Sequence, residues 1–135
     1  MSENSKNLEE LKTELPKKVD VVILHTNTLL ADSLADLVRK RGKIVDVYHT
    51  GEQFLENFEK YLKDTTFCFN YSIGGNLTGK DIAVRLHDAG YTKIYLYSGW
   101  QRSSIEEFDL PDYLHVILYA ELDNPIKDLI DLLSG

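Results

Sequence analysis

Five times along this chain a short apolar run rich in β-branched or aromatic residues gives way to a segment with helical character. That alternation constrains the fold more than any other feature. Val19-Asp20-Val21-Val22-Ile23-Leu24 reads as a strand buried on both faces. Leu30, Leu34, Leu37 and Val38 then form one helical stripe, ended by Gly42 at C′. Lys43 to Tyr48 is a second strand. Thr50-Gly51-Glu52-Gln53 has the spacing of a capping box, and Phe54, Leu55, Phe58 and Leu62 point its helix inward. Thr66 to Phe69 is a third strand. Thr78 caps a helix carrying Ile82, Ala83 and Leu86, and Gly90 closes it. Lys93 to Tyr97 is a fourth strand, followed by a short helix over Ser103 to Phe108 and a loop at Pro111. His115 to Tyr119 is a fifth. Asn124-Pro125 then places a capping residue before a first-turn proline, and Ile126, Leu129, Ile130 and Leu133 pack the last helix.

Strands alternating with helices through short loops give an α/β fold: a doubly wound, five-stranded parallel sheet with helices on both faces. Among doubly wound topologies the expected strand order is 2-1-3-4-5. The chain divides into an N-terminal tail or short helix at residues 1–17 and one domain at 18–135. Leu8, Leu11 and Leu15 have helical spacing in the first part, and Pro16 stops the run.

Charge and composition exclude several functions. The net charge is −7, and the cationic residues are scattered apart from Lys17-Lys18 and Arg39-Lys40-Arg41. The second cluster closes a helix, where cations favour the dipole. A phosphate backbone would be repelled, so nucleic acid is not an expected partner. No apolar run nears the roughly 20 residues of a membrane span, and the polar N-terminus does not read as a signal peptide. The lone cysteine, Cys68, suits a reducing compartment, so a cytoplasmic location is expected.

In doubly wound folds the site lies beyond the carboxyl ends of the strands. That rule selects His25-Thr26-Asn27, Asn70-Tyr71, Ser98-Gly99-Trp100 and Ala120-Glu121-Leu122.

With its strand–helix order, the stretch Asn70 to Asp81 and the segment Tyr91 to Trp100, the chain resembles a receiver domain of bacterial two-component response regulators, from about Val19 onward. The resemblance implies the CheY-like, flavodoxin-like fold. It also implies a chemistry: an aspartate after the third strand takes a phosphoryl group, two carboxylates after the first strand hold a divalent cation, and a hydroxyl after the fourth strand and a lysine after the fifth read the phosphate. The metal offsets negative charge in the transition state.

This chain departs from that pattern. The acceptor position falls at Asn70, or at Tyr71 if the loop is aligned without a gap. His25 and Thr26 stand where the acidic pair would be. The lysine position falls at Leu122 if Tyr119 is the switch aromatic, or at Asn124 if the asparagine–proline pair is the landmark. Only Ser98 survives in kind. An amide cannot be the carboxylate nucleophile, and imidazole and hydroxyl do not attract Mg²⁺ as carboxylates do. The resemblance therefore implies a degenerate, stand-alone pseudo-receiver, not an enzyme, without metal or cofactor, acting through a protein partner such as a histidine kinase or relay protein, or as a homodimer. Trp100, Glu106 and Glu107 mark the expected partner surface.

Other readings are weaker. His25 could ligate a metal or accept a phosphoryl group, but a lone histidine at a strand end more often lines a polar pocket. His49, His87 and His115 have no metal spacing. Cys68, between Phe67 and Phe69, reads as a buried apolar thiol. Gly74-Gly75-Asn76 reads as a turn before an anion nest. A small-molecule or flavin site in the same crevice lacks the glycines that wrap a phosphate. Tyr95 and Tyr97 are expected to pack beneath the fourth helix.

Overall fold

The computed structural model describes residues 16–135. Its main sheet contains β1 (Val21–Leu24), β2 (Val45–Tyr48), β3 (Thr66–Phe69), β6 (Lys93–Ser98) and β7 (His115–Leu118), all parallel, in the order β2-β1-β3-β6-β7. This is the expected 2-1-3-4-5 winding. The second, two-stranded sheet is an antiparallel hairpin of β4 (Ser72–Gly74) and β5 (Leu77–Thr78). The helices are α1 (Thr28–Arg39), α2 (Gly51–Asn57), α3 (Gly79–Asp88), α4 (Arg102–Glu106) and α5 (Pro125–Ser134).

Strand alternation sorts the core into two layers. Val22, Leu24, Phe67, Phe69, Ile94 and Leu96 face α2, α3 and α4. Val21, Ile23, Cys68 and Tyr97 face α1 and α5. Tyr97 therefore does not lie beneath the fourth helix. It shares the face of Cys68 and stacks near Tyr119, ring centroids 4.0 Å apart. Tyr95, on the same face two residues earlier, is half-buried against His115.

An aromatic group fixes the first layer. Phe67 meets Phe54, Tyr61 and Tyr91 edge-on, the Tyr91 ring centroid 4.8 Å away. The Tyr91 hydroxyl lies 2.8 Å from the Phe58 carbonyl and 2.7 Å from that of Tyr61, so its proton pins the 3₁₀ turn Phe58–Lys60 that follows α2. Because the chain leaves α-helical geometry there, Tyr61 takes the inward position and the Leu62 side chain is only half-buried.

The caps differ from expectation in instructive ways. Thr50 Oγ1 accepts the Gln53 amide at 3.2 Å, but the only reciprocal capping box in the described helices is Thr78–Asp81. Aspartate reaches back with a short, charged side chain; Gln53 does not make that return bond. Gly90 supplies a positive φ of 98° at C′ of α3, and the Tyr91 amide bonds back to the Leu86 carbonyl, which is a Schellman closure. Gly42 sits one residue later than C′, two beyond the C-cap Lys40. Arg39 donates to the Val45 carbonyl at 2.8 Å, and Arg41 pairs with Asp131 of α5, so this cluster ties elements together as well as closing the helix. Asn124 caps α5 with Pro125 in its first turn. Ile126 is 39% exposed, on the outer side of that turn and outside the core.

Several boundaries also shift. Val19 and Asp20 precede β1, Lys43 and Ile44 precede β2, and Tyr119 leaves β7 to begin a 3₁₀ turn, Tyr119–Glu121. The short fourth helix starts at Arg102 and stops at Glu106, so Phe108 lies beyond it. Lys17, on the tail side of the expected boundary, donates its amide to Lys60 and accepts from Leu62. Its ammonium pairs with Asp46 at 3.0 Å. The expectations for Leu8, Leu11 and Leu15 lie outside the described residues.

Gly79 opens α3 in a crowded place, with backbone atoms among its neighbours. A Cβ there would stand 2.6 Å from Leu96 Cδ1, 2.9 Å from the Asn70 carbonyl oxygen and 3.1 Å from Tyr71 Cα. Alanine has the better helix propensity, yet Gly79→Ala should destabilise by about 1–3 kcal/mol through overpacking against backbone. Urea unfolding of the variant checks this.

Candidate functional site

The carboxyl ends of β1, β3, β6 and β7 converge on a pocket of about 180 Å³. His25, Asn70 and Ser98 reach it from three strand ends, with Tyr97, Trp100 and Tyr119 forming aromatic walls. Sequence reasoning therefore brought together the right strand ends. Thr26 is exposed beside the pocket and acts through Asn70. Leu122 packs against the α1/α5 core layer and does not line the pocket.

Asn70 is held by its amino group. Nδ2 donates to Thr26 Oγ1 at 2.9 Å and to the Ser72 carbonyl at 2.8 Å. A carbonyl only accepts, so the amide orientation is fixed: the nitrogen faces Ser72 and Oδ1 is turned away. Thr26 Oγ1 in turn donates to the same Ser72 carbonyl at 3.2 Å. These bonds join the ends of β1 and β3 to the first residue of β4. Ile73 then buries the hairpin against the start of α2, where Gly51 leaves room for it.

His25 is 8% exposed. Its Nδ1 accepts the Asn27 amide at 3.1 Å, which places the imidazole proton of the neutral ring on Nε2. Burial pushes its pKa below the ordinary 6.5. Ser98 Oγ, also buried, accepts the Trp100 amide at 3.0 Å and shapes the turn out of β6. Trp100 is 44% exposed and meets Phe108 edge-on with ring centroids 4.9 Å apart; Phe108 stacks flat on Tyr71 at 4.3 Å. Glu106 and Glu107 are exposed on and just beyond α4.

The Arg102–Glu121 pair was not found by sequence reasoning. Its two bonds, 2.6 and 2.7 Å, join the start of α4 to the turn after β7. Nothing in their spacing of nineteen residues announces the contact.

The remaining candidates have other roles. His49 pairs with Asp32, His87 stacks on Tyr113 and His115 stacks on Tyr95. Cys68 is buried and its thiol is pushed up to about 12 by burial, so it is not a thiolate at neutral pH. Gly74, Gly75 and Asn76 form the tip of the β4–β5 hairpin, with positive φ at both glycines. Among the described residues, no group of three or more His, Cys, Asp or Glu side chains could hold a metal ion.

This architecture is similar to solved receiver domains. The signal receiver domain of NarL from Mycobacterium tuberculosis aligns with a TM-score of 0.60 at 20% identity, over 89% of this chain and 99% of that one. A response regulator receiver domain protein from Clostridium thermocellum gives 0.59 at 13% identity, covering 86% and 94%. A CheY-like receiver from Methanospirillum hungatei JF-1 gives 0.57 at 18%, covering 88% and 97%. The chain has the receiver-domain fold. No protein-family model matches the sequence, and no curated protein matches it. Among the described residues of this receiver fold, no helix is long and apolar enough to cross a membrane.

His25 makes stability depend on pH. Its pKa is lower in the native state than in the unfolded chain, so the unfolded chain binds the extra proton. Its contribution is full above the unfolded value of 6.5 and is lost as pH falls from there toward the native pKa. Urea titrations at successive pH values should show the wild type losing more stability below pH 6.5 than His25→Phe loses.

Proposed function

We propose that this chain is a pseudo-receiver: a receiver-fold module that is not phosphorylated at the usual position and acts by binding another protein. The bonding of Asn70 carries the reading. At the end of β3, where the resemblance implies an aspartate nucleophile, an amide stands with both nitrogen donors engaged by Thr26 and Ser72. An amide oxygen does not form the acyl phosphate. The residues lining the adjoining pocket include no Asp, Glu, Lys or Arg. The acidic pair and the phosphate-reading lysine are therefore both missing from the place where that chemistry works. Without them a phosphoryl group has neither the metal that offsets its charge nor the cation that reads it.

The working surface in this reading lies around α4 and β7. Trp100 offers a half-exposed ring beside the exposed Glu106 and Glu107. Buried aromatic anchors supply much of the energy at protein interfaces, and the acidic pair suits a partner with a basic rim. A kinase or relay protein of two-component signalling is the partner class that the fold supports.

Two experiments test the reading. The wild type should remain unlabelled by acetyl phosphate in Mg²⁺ buffer, and its stable labelling would overturn the pseudo-receiver assignment; Asn70→Asp alone should also remain unlabelled, because one carboxylate does not restore the metal site, and its stable labelling would overturn the account of the lost acidic pair. Trp100→Ala, and Glu106→Lys with Glu107→Lys, should fold normally by circular dichroism. Each should weaken capture of the partner isolated with the wild type by about tenfold, or ~1.4 kcal/mol. Undiminished capture by both would move the interface elsewhere.

A further inference from the structure

A second cavity lies away from the strand ends. It measures about 410 Å³ and opens between α2, β5 and α3. Its apolar wall is drawn from all three elements: Leu55 of α2, Leu77 of β5, and Ile82 and Val84 of α3. Ile82 is fully buried, Leu55 and Leu77 rest part-buried on the core layer, and Val84 is 37% exposed. Among the described residues no aromatic ring lines the cavity, so the apolar wall is aliphatic. Its volume falls in the range of roughly 300–1,000 Å³ that small-ligand sites occupy.

The rest of the lining gives the cavity a sign. Lys80, Asp81 and Arg85 are its charged residues. Asp81 is engaged in the helix cap, where Oδ2 accepts the Thr78 amide at 2.9 Å and the Thr78 hydroxyl at 3.1 Å. Among the described residues, neither Lys80 nor Arg85 is paired with an acid. Arg85 also borders a neighbouring recess with Glu59 and Asp88, and forms an ion pair with neither. Two cations against one carboxylate leave one positive charge on this wall, in a chain whose net charge is −7. Covering an aliphatic recess removes apolar surface from water, and a surplus cation beside it favours an occupant that carries negative charge.

The extent of the apolar surface decides between a protein and a small molecule. A stable protein interface buries about 800 Å² on each partner. Of the exposed large apolar residues, only Val84 belongs to this cavity; Leu29, Ile44, Trp100, Ile126 and Leu132 line none of it. Apolar area confined to one recess suits a molecule that enters it. Walls without a ring suit a flexible hydrocarbon chain better than a flat heterocycle, and a single surplus positive charge matches a monoanion better than a doubly charged phosphate.

We infer that this cavity binds an aliphatic monocarboxylate, a molecule of the fatty-acid class, with its chain against Leu55, Leu77, Ile82 and Val84 and its charge offset by Lys80 and Arg85. The site shares no lining residue with the crevice at the strand ends, and none with Trp100, Glu106 or Glu107. It therefore stands or falls independently of the pseudo-receiver reading.

The test uses the full chain, isotope-labelled for amide NMR, and octanoate. Titration should shift the backbone amides of Leu55, Leu77, Val84 and Arg85 in one saturable process. Octanol, which keeps the chain and loses the charge, should bind at least about fivefold more weakly, and acetate, which keeps the charge and loses the chain, should leave these resonances in place. Lys80→Gln with Arg85→Gln keeps much of the aliphatic stems and removes both charges. This variant should fold normally by circular dichroism, weaken octanoate by about fivefold and bind octanol unchanged. If it fails to fold, raising the salt concentration on the wild type replaces it: octanoate should weaken and octanol should not. Equal binding of octanoate and octanol would show an apolar recess without anion recognition and would overturn the proposal. Absence of saturable shifts with octanoate, shifts spread over Leu29, Ile126 and Leu132 instead of the cavity, or equal shifts with acetate would overturn it as well.

Discussion

The burial of β3 is the constraint on which the rest of the structure depends. Its backbone is bonded on both edges, to β1 and to β6, and its side chains alternate between two closed layers. Nothing on this strand can be polar without a partner, and Thr66 to Phe69 supplies one threonine at the edge followed by three apolar residues. Phe67 then becomes the contact around which α2, the turn after it and Tyr91 arrange themselves. The first polar side chain after the strand is Asn70, which must meet its needs at the sheet's rim. It does so by binding to Thr26 and to the chain it has just begun to turn. Strand burial thus sets where the pocket begins.

The same rim shows how a fold and its chemistry separate. The sheet order, the helices on both faces and the crevice above the strand ends are all retained. What differs is the charge within the crevice. The resemblance implies a pocket that gathers carboxylates around a metal, and the proposed reading rests on what lines this one: no Asp, Glu, Lys or Arg, with an amide on one side and on the other an imidazole whose pKa burial lowers. Fold is set by apolar alternation and turn chemistry, which tolerate such replacements; activity rests on a few side chains that do not enter the core.

Much of the architecture was legible because it rests on periodicities that survive without context. The five main strands, the Thr78 and Asn124 caps and the closure at Gly90 all follow from local rules. The strand ends that meet at the pocket followed from topology. Other features depend on geometry that only the folded chain defines. The β4–β5 hairpin has two very short strands, too short for a period to show, although the glycines at its tip are a turn signal. Alternation put Tyr95 and Tyr97 on one face but did not say which helices cover it. Tyr61 displaced Leu62 because a 3₁₀ turn breaks the helical count. That His25 Nε2 and Asn70 Oδ1 have no partner among the described residues could not be read at all, since each depends on where the other end of its side chain is bonded.

The sequestration of Cys68 has a practical side. The chain contains one cysteine, and it lies mid-strand with no access to solvent-borne electrophiles. A new cysteine placed at the exposed Asn76, on the hairpin tip, would therefore be the single reactive thiol in an otherwise native background. A fluorophore or spin label attached there would ride on the segment that Asn70 and Ile73 tether to the rim of the crevice. Movement of that segment would become readable as a change in the label's mobility, with no native cysteine removed to make the measurement.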